Sequence, residues 1–128
     1  MNKLISQLLS SPLMRFIIVG GTATSLHLII VIVIMETWAL AEGLANAIAF
    51  ALATIFSYLC NTYWSFSAQQ SRSVFIKYWL VSALGLSLAV LISSFAAYLG
   101  LHYFLGAMMV VSVTPLVSYN LHKRWTYR

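Results

Sequence analysis

Acidic side chains are almost missing from this sequence: it has no Asp, and Glu36 and Glu42 are its only carboxylate side chains. With 7% charged residues against 62% apolar ones, a chain of 128 residues has too little polar surface to cover a soluble globule. The single cysteine, Cys60, has no partner in the chain and excludes an internal disulfide. No His or Cys cluster has metal-ligand spacing, no glycine-rich loop has the pattern that cradles a phosphate, and no nucleophile is paired with a base. His27, His102 and His122 fall at different depths, near the middle of the membrane and near its two sides, so paired haem ligation finds no support either. The pattern is that of a protein without catalytic machinery and without a cofactor.

What the sequence has in abundance is long apolar runs. A helix crossing the hydrocarbon layer needs about twenty residues at 1.5 Å each. Four segments meet that length, 16–35, 43–63, 78–99 and 104–121. They predict an all-α membrane protein with four transmembrane helices. Residues 1–13 put Leu4, Ile5, Leu8 and Leu9 on one helical face, with Ser6, Gln7 and Ser10 opposite, and stop at Pro12. This pattern predicts a short helix lying in the interface. The first run is too long for the apolar core of a secretory signal and is expected to stay as a span.

The few charges are placed systematically. Lys3, Arg15, Arg72, Lys77, Lys123, Arg124 and Arg128 all flank the same alternate ends of the runs, while connections 36–43 and 100–105 contain no Lys or Arg. The positive-inside rule therefore predicts that both termini and the middle loop are cytoplasmic. The net charge of +5 does not form a stripe for nucleic acid; membrane phospholipid headgroups are the expected counterions.

An internal repeat emerges when the halves are aligned. Ser57-Tyr58 leads through Asn61 to Trp64-Ser65-Phe66, and Ser118-Tyr119 leads through His122 to Trp125-Thr126-Tyr127. Upstream, Arg15-Phe16 matches Lys77-Tyr78, and Val19 matches Val81. The unit is a helical hairpin of about sixty residues, repeat one spanning roughly 14–67 and repeat two roughly 75–128 of a single membrane domain. Two crossings per unit make the expected arrangement a parallel repeat.

Small residues let helices approach closely in lipid. Ala45, Ala49, Ala53, Ser57 and Asn61 form one such seam at four-residue spacing, and Gly85, Ala89, Ser93 and Ala97 form another. Polar groups within the runs carry more chemistry, because their burial in hydrocarbon is costly. His27, Asn46, Ser57, Thr114, Ser118 and His122 are candidates for a polar path. Arg15, Asn61, Lys77, Lys123 and Arg124 concentrate donors at the basic end, where an anionic headgroup would be held.

These residues resemble the GtrA-like membrane proteins of bacterial polysaccharide synthesis. The resemblance runs from about Leu13 to Arg128 and rests on Arg15-Phe16 with Val19-Gly20, Leu44-Ala45-Asn46, the Asn61 to Phe66 segment, Lys77-Tyr78, and Lys123-Arg124-Trp125-Thr126-Tyr127. Tyr127 departs from the Phe usual there, and His122 stands where small polar residues vary. The resemblance implies a protein of the bacterial cytoplasmic membrane that helps move an undecaprenyl-phosphate-linked sugar to the outer leaflet for envelope glycosylation. The phosphate would meet the basic residues and the sugar the polar path. Four helices enclose little space, so a homo-oligomer or a complex with a membrane glycosyltransferase is expected. A non-catalytic scaffold for that glycosyltransferase is the alternative. A small multidrug-type exporter fits less well, because it would want a carboxylate inside a span.

Overall fold

In the computed structural model, which describes residues 2–128, helices account for nearly the whole chain. Met1 lies outside the described residues, as do the side chains of Glu42, Gly43 and Tyr103, so the acid expected at position 42 has no described surroundings. The elements are α1 (Asn2–Ser10), α2 (Pro12–Thr37), α3 (Glu42–Cys60), α4 (Arg72–Tyr98) and α5 (Tyr103–Leu121). A π-helical turn ends each of the two shorter spans, Asn61–Ser65 after α3 and His122–Thr126 after α5. Four helical stretches are long and apolar enough to cross a membrane: Pro12–Thr37, Leu44–Ser65, Arg72–Tyr98 and Phe104–Thr126. The expected all-α, four-span class is the observed one.

The chain divides into two compact units, Met1–Gln69 and Gln70–Arg128. In the first, α2 packs along α3 and against its π-turn, with α1 against α2; in the second, α4 packs along α5 and its π-turn. Local sequence explains the boundaries. Pro12 has no N–H to continue α1 and starts α2 in the first turn, where a missing donor costs nothing. Ser71 caps α4 by accepting from Val74 N at 3.1 Å. Gly100, at φ 71°, ends α4 in a Schellman arrangement: Leu101 N donates to Ala96 O and Gly100 N to Ala97 O, both at 3.0 Å. His102 then caps α5, its Nδ1 accepting from Phe104 N at 3.2 Å.

Burial inside each hairpin follows the same positions. Phe16, Val19, Ala23 and Ile34 are the buried residues of α2, and Tyr78, Val81, Gly85 and Ala96, each at one constant offset along the chain, are those of α4. The small-residue seam of α3 holds at Ala45 and Ala49, both fully buried, and at Ala53. It then passes to Thr54 and Tyr58, leaving Ser57 half-buried. The four-residue seam expected on α4 fails after Gly85: Ala89 is half-buried, Ser93 and Ala97 are exposed, and Ala96 is the buried residue. The cause is geometric. At 3.6 residues per turn each four-residue step overshoots by about 40°, so three steps carry Ala97 about 120° away from Gly85. Pro115 lies within α5 and removes one backbone donor there.

Candidate functional site

The basic end of each hairpin is built on its π-turn. In a π-turn each N–H reaches back five residues, and here Phe66 N donates to Asn61 O and Tyr127 N to His122 O, both at 2.9 Å. The carbonyl of each turn's Trp is among the last of the helix, where no further turn supplies a donor, and a cation from the preceding helix meets it. Arg15 Nη1 donates to Trp64 O at 2.9 Å, and Lys77 Nζ donates to Trp125 O at 3.3 Å. Each cation also lies over the ring of the same Trp, 5.6 Å from the centroid for Arg15 and 5.7 Å for Lys77. A cation at a helix C-terminus is favoured by the helix dipole as well. Arg15 reaches further, its Nε donating to Leu9 O at 2.6 Å and so fastening the end of α1.

Beneath each cation lies a polar core. Asn61 is fully buried and committed at both ends of its amide: Nδ2 donates to Ser57 Oγ at 3.2 Å, and Ser65 Oγ donates to Oδ1 at 2.7 Å. His122, at the matching place, is buried at 2% exposure with Nδ1 3.0 Å from Thr126 Oγ1. Its ring stacks on Tyr78 at 4.3 Å between centroids. Aromatic edges close both ends in the same way, Phe16 against Phe66 at 6.1 Å and Tyr78 against Tyr127 at 6.4 Å.

The two ends differ in what they offer outward. After Asn61 come buried Thr62 and exposed Tyr63; after His122 come exposed Lys123 and Arg124. Lys123 Nζ lies 5.9 Å from the centroid of Tyr119, a contact that leaves its ammonium open to a further partner. Trp64 and Trp125 are about two-fifths exposed, at 40% and 43%, as aromatic residues of a membrane interface are.

The polar-path candidates do not form one continuous group. His27 Nε2 meets Asn46 Oδ1 at 3.3 Å across α2 and α3. Fifteen residues of helix, about 22 Å, separate Asn46 from Asn61. Ser57 joins the Asn61 network instead. Thr114 and Ser118 both face Gly85, where an added Cβ would lie 3.0 Å from Ser118 Oγ and 3.7 Å from Thr114 Cγ2. Thr114 Oγ1 is buried without a hydrogen-bond partner. An open cavity of ≈ 250 Å³ lies at the α4–α5 turn, lined by Ser93, Ala96, Ala97, Leu101, Gly106 and Ala107, at the end of that hairpin away from Lys77 and Lys123.

Four residues that complete the basic ends were not singled out individually from the sequence: Trp64, Trp125, Ser65 and Thr126. Their signal was present in the repeated spacing, since Asn61 with Ser65 and His122 with Thr126 are both i, i+4 pairs on one helical face.

Fold and site together define a small multi-pass α-helical membrane protein with aromatic and cationic groups gathered at the ends of its hairpins. Residues 15–127 match the family described as GtrA/DPMS, transmembrane domain, and the chain belongs to that family, which is associated with handling polyprenyl-phosphate sugars in membranes. No solved structure matches the chain.

Proposed function

We propose that this protein translocates an undecaprenyl-phosphate-linked sugar from the cytoplasmic to the outer leaflet of a bacterial cytoplasmic membrane, for glycosylation of an envelope polysaccharide. Membership of the GtrA/DPMS family supports the substrate class. One observation carries the residue assignment: the second π-turn presents Lys123 and Arg124 outward, on the same turn whose Trp125 carbonyl is held by Lys77. A phosphodiester needs cationic donors at the membrane face, and of the four candidate cations these two are exposed, whereas Arg15 and Lys77 are half-buried and bonded to Trp carbonyls. Arg15 and Lys77 contribute charge while holding their own hairpins together. Asn61 and His122 act from beneath by shaping the π-turns, rather than by touching the phosphate. His27 with Asn46, and Thr114 with Ser118, supply polar groups deeper in the spans for the sugar. The basic ends face the cytoplasm, where the lipid-linked sugar is made. The protein is non-catalytic and works as a homo-oligomer or with a membrane glycosyltransferase that consumes the sugar outside.

A scaffold for that glycosyltransferase is the second reading, favoured by the inward commitment of the Asn61 amide and the burial of His122. Vesicles containing only this protein and a labelled lipid-linked sugar separate the two. Translocation predicts that the label becomes accessible to a reagent in the opposite compartment many times faster than in protein-free vesicles, and that Lys123→Gln with Arg124→Gln slows this at unchanged protein content. Equal rates with and without the protein would leave the scaffold.

A further inference from the structure

We propose that α1 is a membrane-surface anchor, lying in the plane of the interface with its apolar face among the acyl chains. It belongs to a part of the chain that precedes the family match, which begins at residue 15, and rests only on the membrane-spanning character of α2. At 100° per residue, Leu4, Ile5, Leu8 and Leu9 fall within one arc of α1, and Lys3, Ser6, Gln7 and Ser10 within the opposite one. All four apolar residues remain exposed on the protein, at 66%, 45%, 46% and 41%. The polar face is settled locally, with Ser6 Oγ donating to Lys3 O at 2.8 Å and Ser10 Oγ to Gln7 O at 2.6 Å.

What covers the apolar face follows from the chain path. Ser11 and Pro12 join α1 directly to α2, so α1 sits where a span leaves the hydrocarbon. Nine residues, about 13 Å of helix, are too few to cross it. The elbow is fixed by Arg15 Nε on Leu9 O and by Arg15 N on Ser11 O at 3.0 Å, with α1 packed on α2. A helix held at that level, apolar on one side and carrying a lysine on the other, finds its partner in the lipid layer itself. Lys3 adds attraction for anionic headgroups.

The test uses the full chain in liposomes, with Cys60→Ala and a single nitroxide-labelled cysteine introduced by Leu8→Cys or Gln7→Cys. Leu8→Cys is expected to be more accessible to dissolved oxygen than to a water-soluble nickel chelate, at a depth of about 5–10 Å, and Gln7→Cys to show the reverse. Ile5→Cys and Ser6→Cys repeat the comparison one turn earlier, should either label disturb its site. The same ranking at both faces would overturn the proposal, as would a Leu8→Cys protection that vanishes in nanodiscs holding one copy, which would make a second copy the cover.

Discussion

Arg15 and Trp64 form a double contact, the guanidinium donating to the Trp64 carbonyl at 2.9 Å while lying 5.6 Å from the centre of its ring. Lys77 repeats it on Trp125 with one donor fewer in use. These cations are therefore caps on π-turns before they are anything else, and capping has a measurable signature. A cation at a helix C-terminus contributes roughly 0.3–1 kcal/mol when partly exposed. Arg15→Gln should lower thermal stability in detergent by about 1 kcal/mol. Arg15→Lys should lose less, because the Lys77 geometry shows that an ammonium reaches the carbonyl, though it gives up the bond to Leu9 O. If Arg15→Gln weakens lipid-linked sugar binding with no change in thermal midpoint, the cap is not its role.

Orientation is the next measurable quantity. All seven Lys and Arg residues flank the ends of the spans that carry the termini and the middle loop. Reporters fused after Arg128 and within residues 69–73 should read cytoplasmic, and one inserted at Glu42 should read external. A cytoplasmic reading at Glu42 would invert or break the four-span arrangement.

The two close-approach glycines should respond differently to the same substitution. A Cβ on Gly85 meets Ser118 Oγ at 3.0 Å, the end of a rotatable side chain, whereas one on Gly106 meets Ala96 Cβ at 3.2 Å, which cannot turn aside. Gly85→Ala also gains up to about 1 kcal/mol of helix propensity. The first hairpin already carries Ala23 at the place matching Gly85. Gly85→Ala should stay within about 1 kcal/mol of the parent, and Gly106→Ala, which forces α4 and α5 apart, should cost about 1–2 kcal/mol. Thermal midpoints of both variants check the order.

The spans and their number were legible in the sequence because both depend on run length and apolar composition, which are properties of the chain alone. The seam on α4 misled because four-residue spacing imitates a helical face over two turns and departs from it over three, so Ala96 is buried where Ala97 was expected. The π-turns were invisible for a different reason: nothing in Asn61–Ser65 or His122–Thr126 distinguishes a five-residue reach from a four-residue one until the Trp carbonyl finds its cation. Asn61 was readable as a polar residue of importance, but the direction of its amide was not.

That direction alters what Asn61 substitutions should do. Ser57 and Ser65, which the Asn61 amide meets, lie on its own helical path, one turn away on either side. Removing the amide from a fully buried site leaves the Ser65 hydroxyl without its acceptor, a loss of about 1–3 kcal/mol. Asn61→Ala should therefore be measurably less stable in detergent. Asn61→Asp should be worse, since a carboxylate would be fully buried against the hydroxyls of Ser57 and Ser65, neither of which carries a compensating charge. Asn61→Ala with an unchanged midpoint and no translocation would make the amide a direct substrate contact.

His27 and Asn46 give the sharpest separation of packing from transport. Their bond at 3.3 Å joins α2 to α3, and such bonds within membranes average about 0.6 kcal/mol with a maximum near 1.7. Either single replacement, His27→Leu or Asn46→Leu, removes this bond and leaves one of its two polar ends behind. The double replacement leaves none, so its stability should recover to within about 0.5 kcal/mol of the parent, giving a positive coupling in the double-mutant cycle. A path for a sugar needs those polar groups whatever their effect on stability. The double variant is thus expected to be folded, inserted and nearly inactive in the vesicle assay, and full translocation by it would reduce the pair to an interhelical fastening.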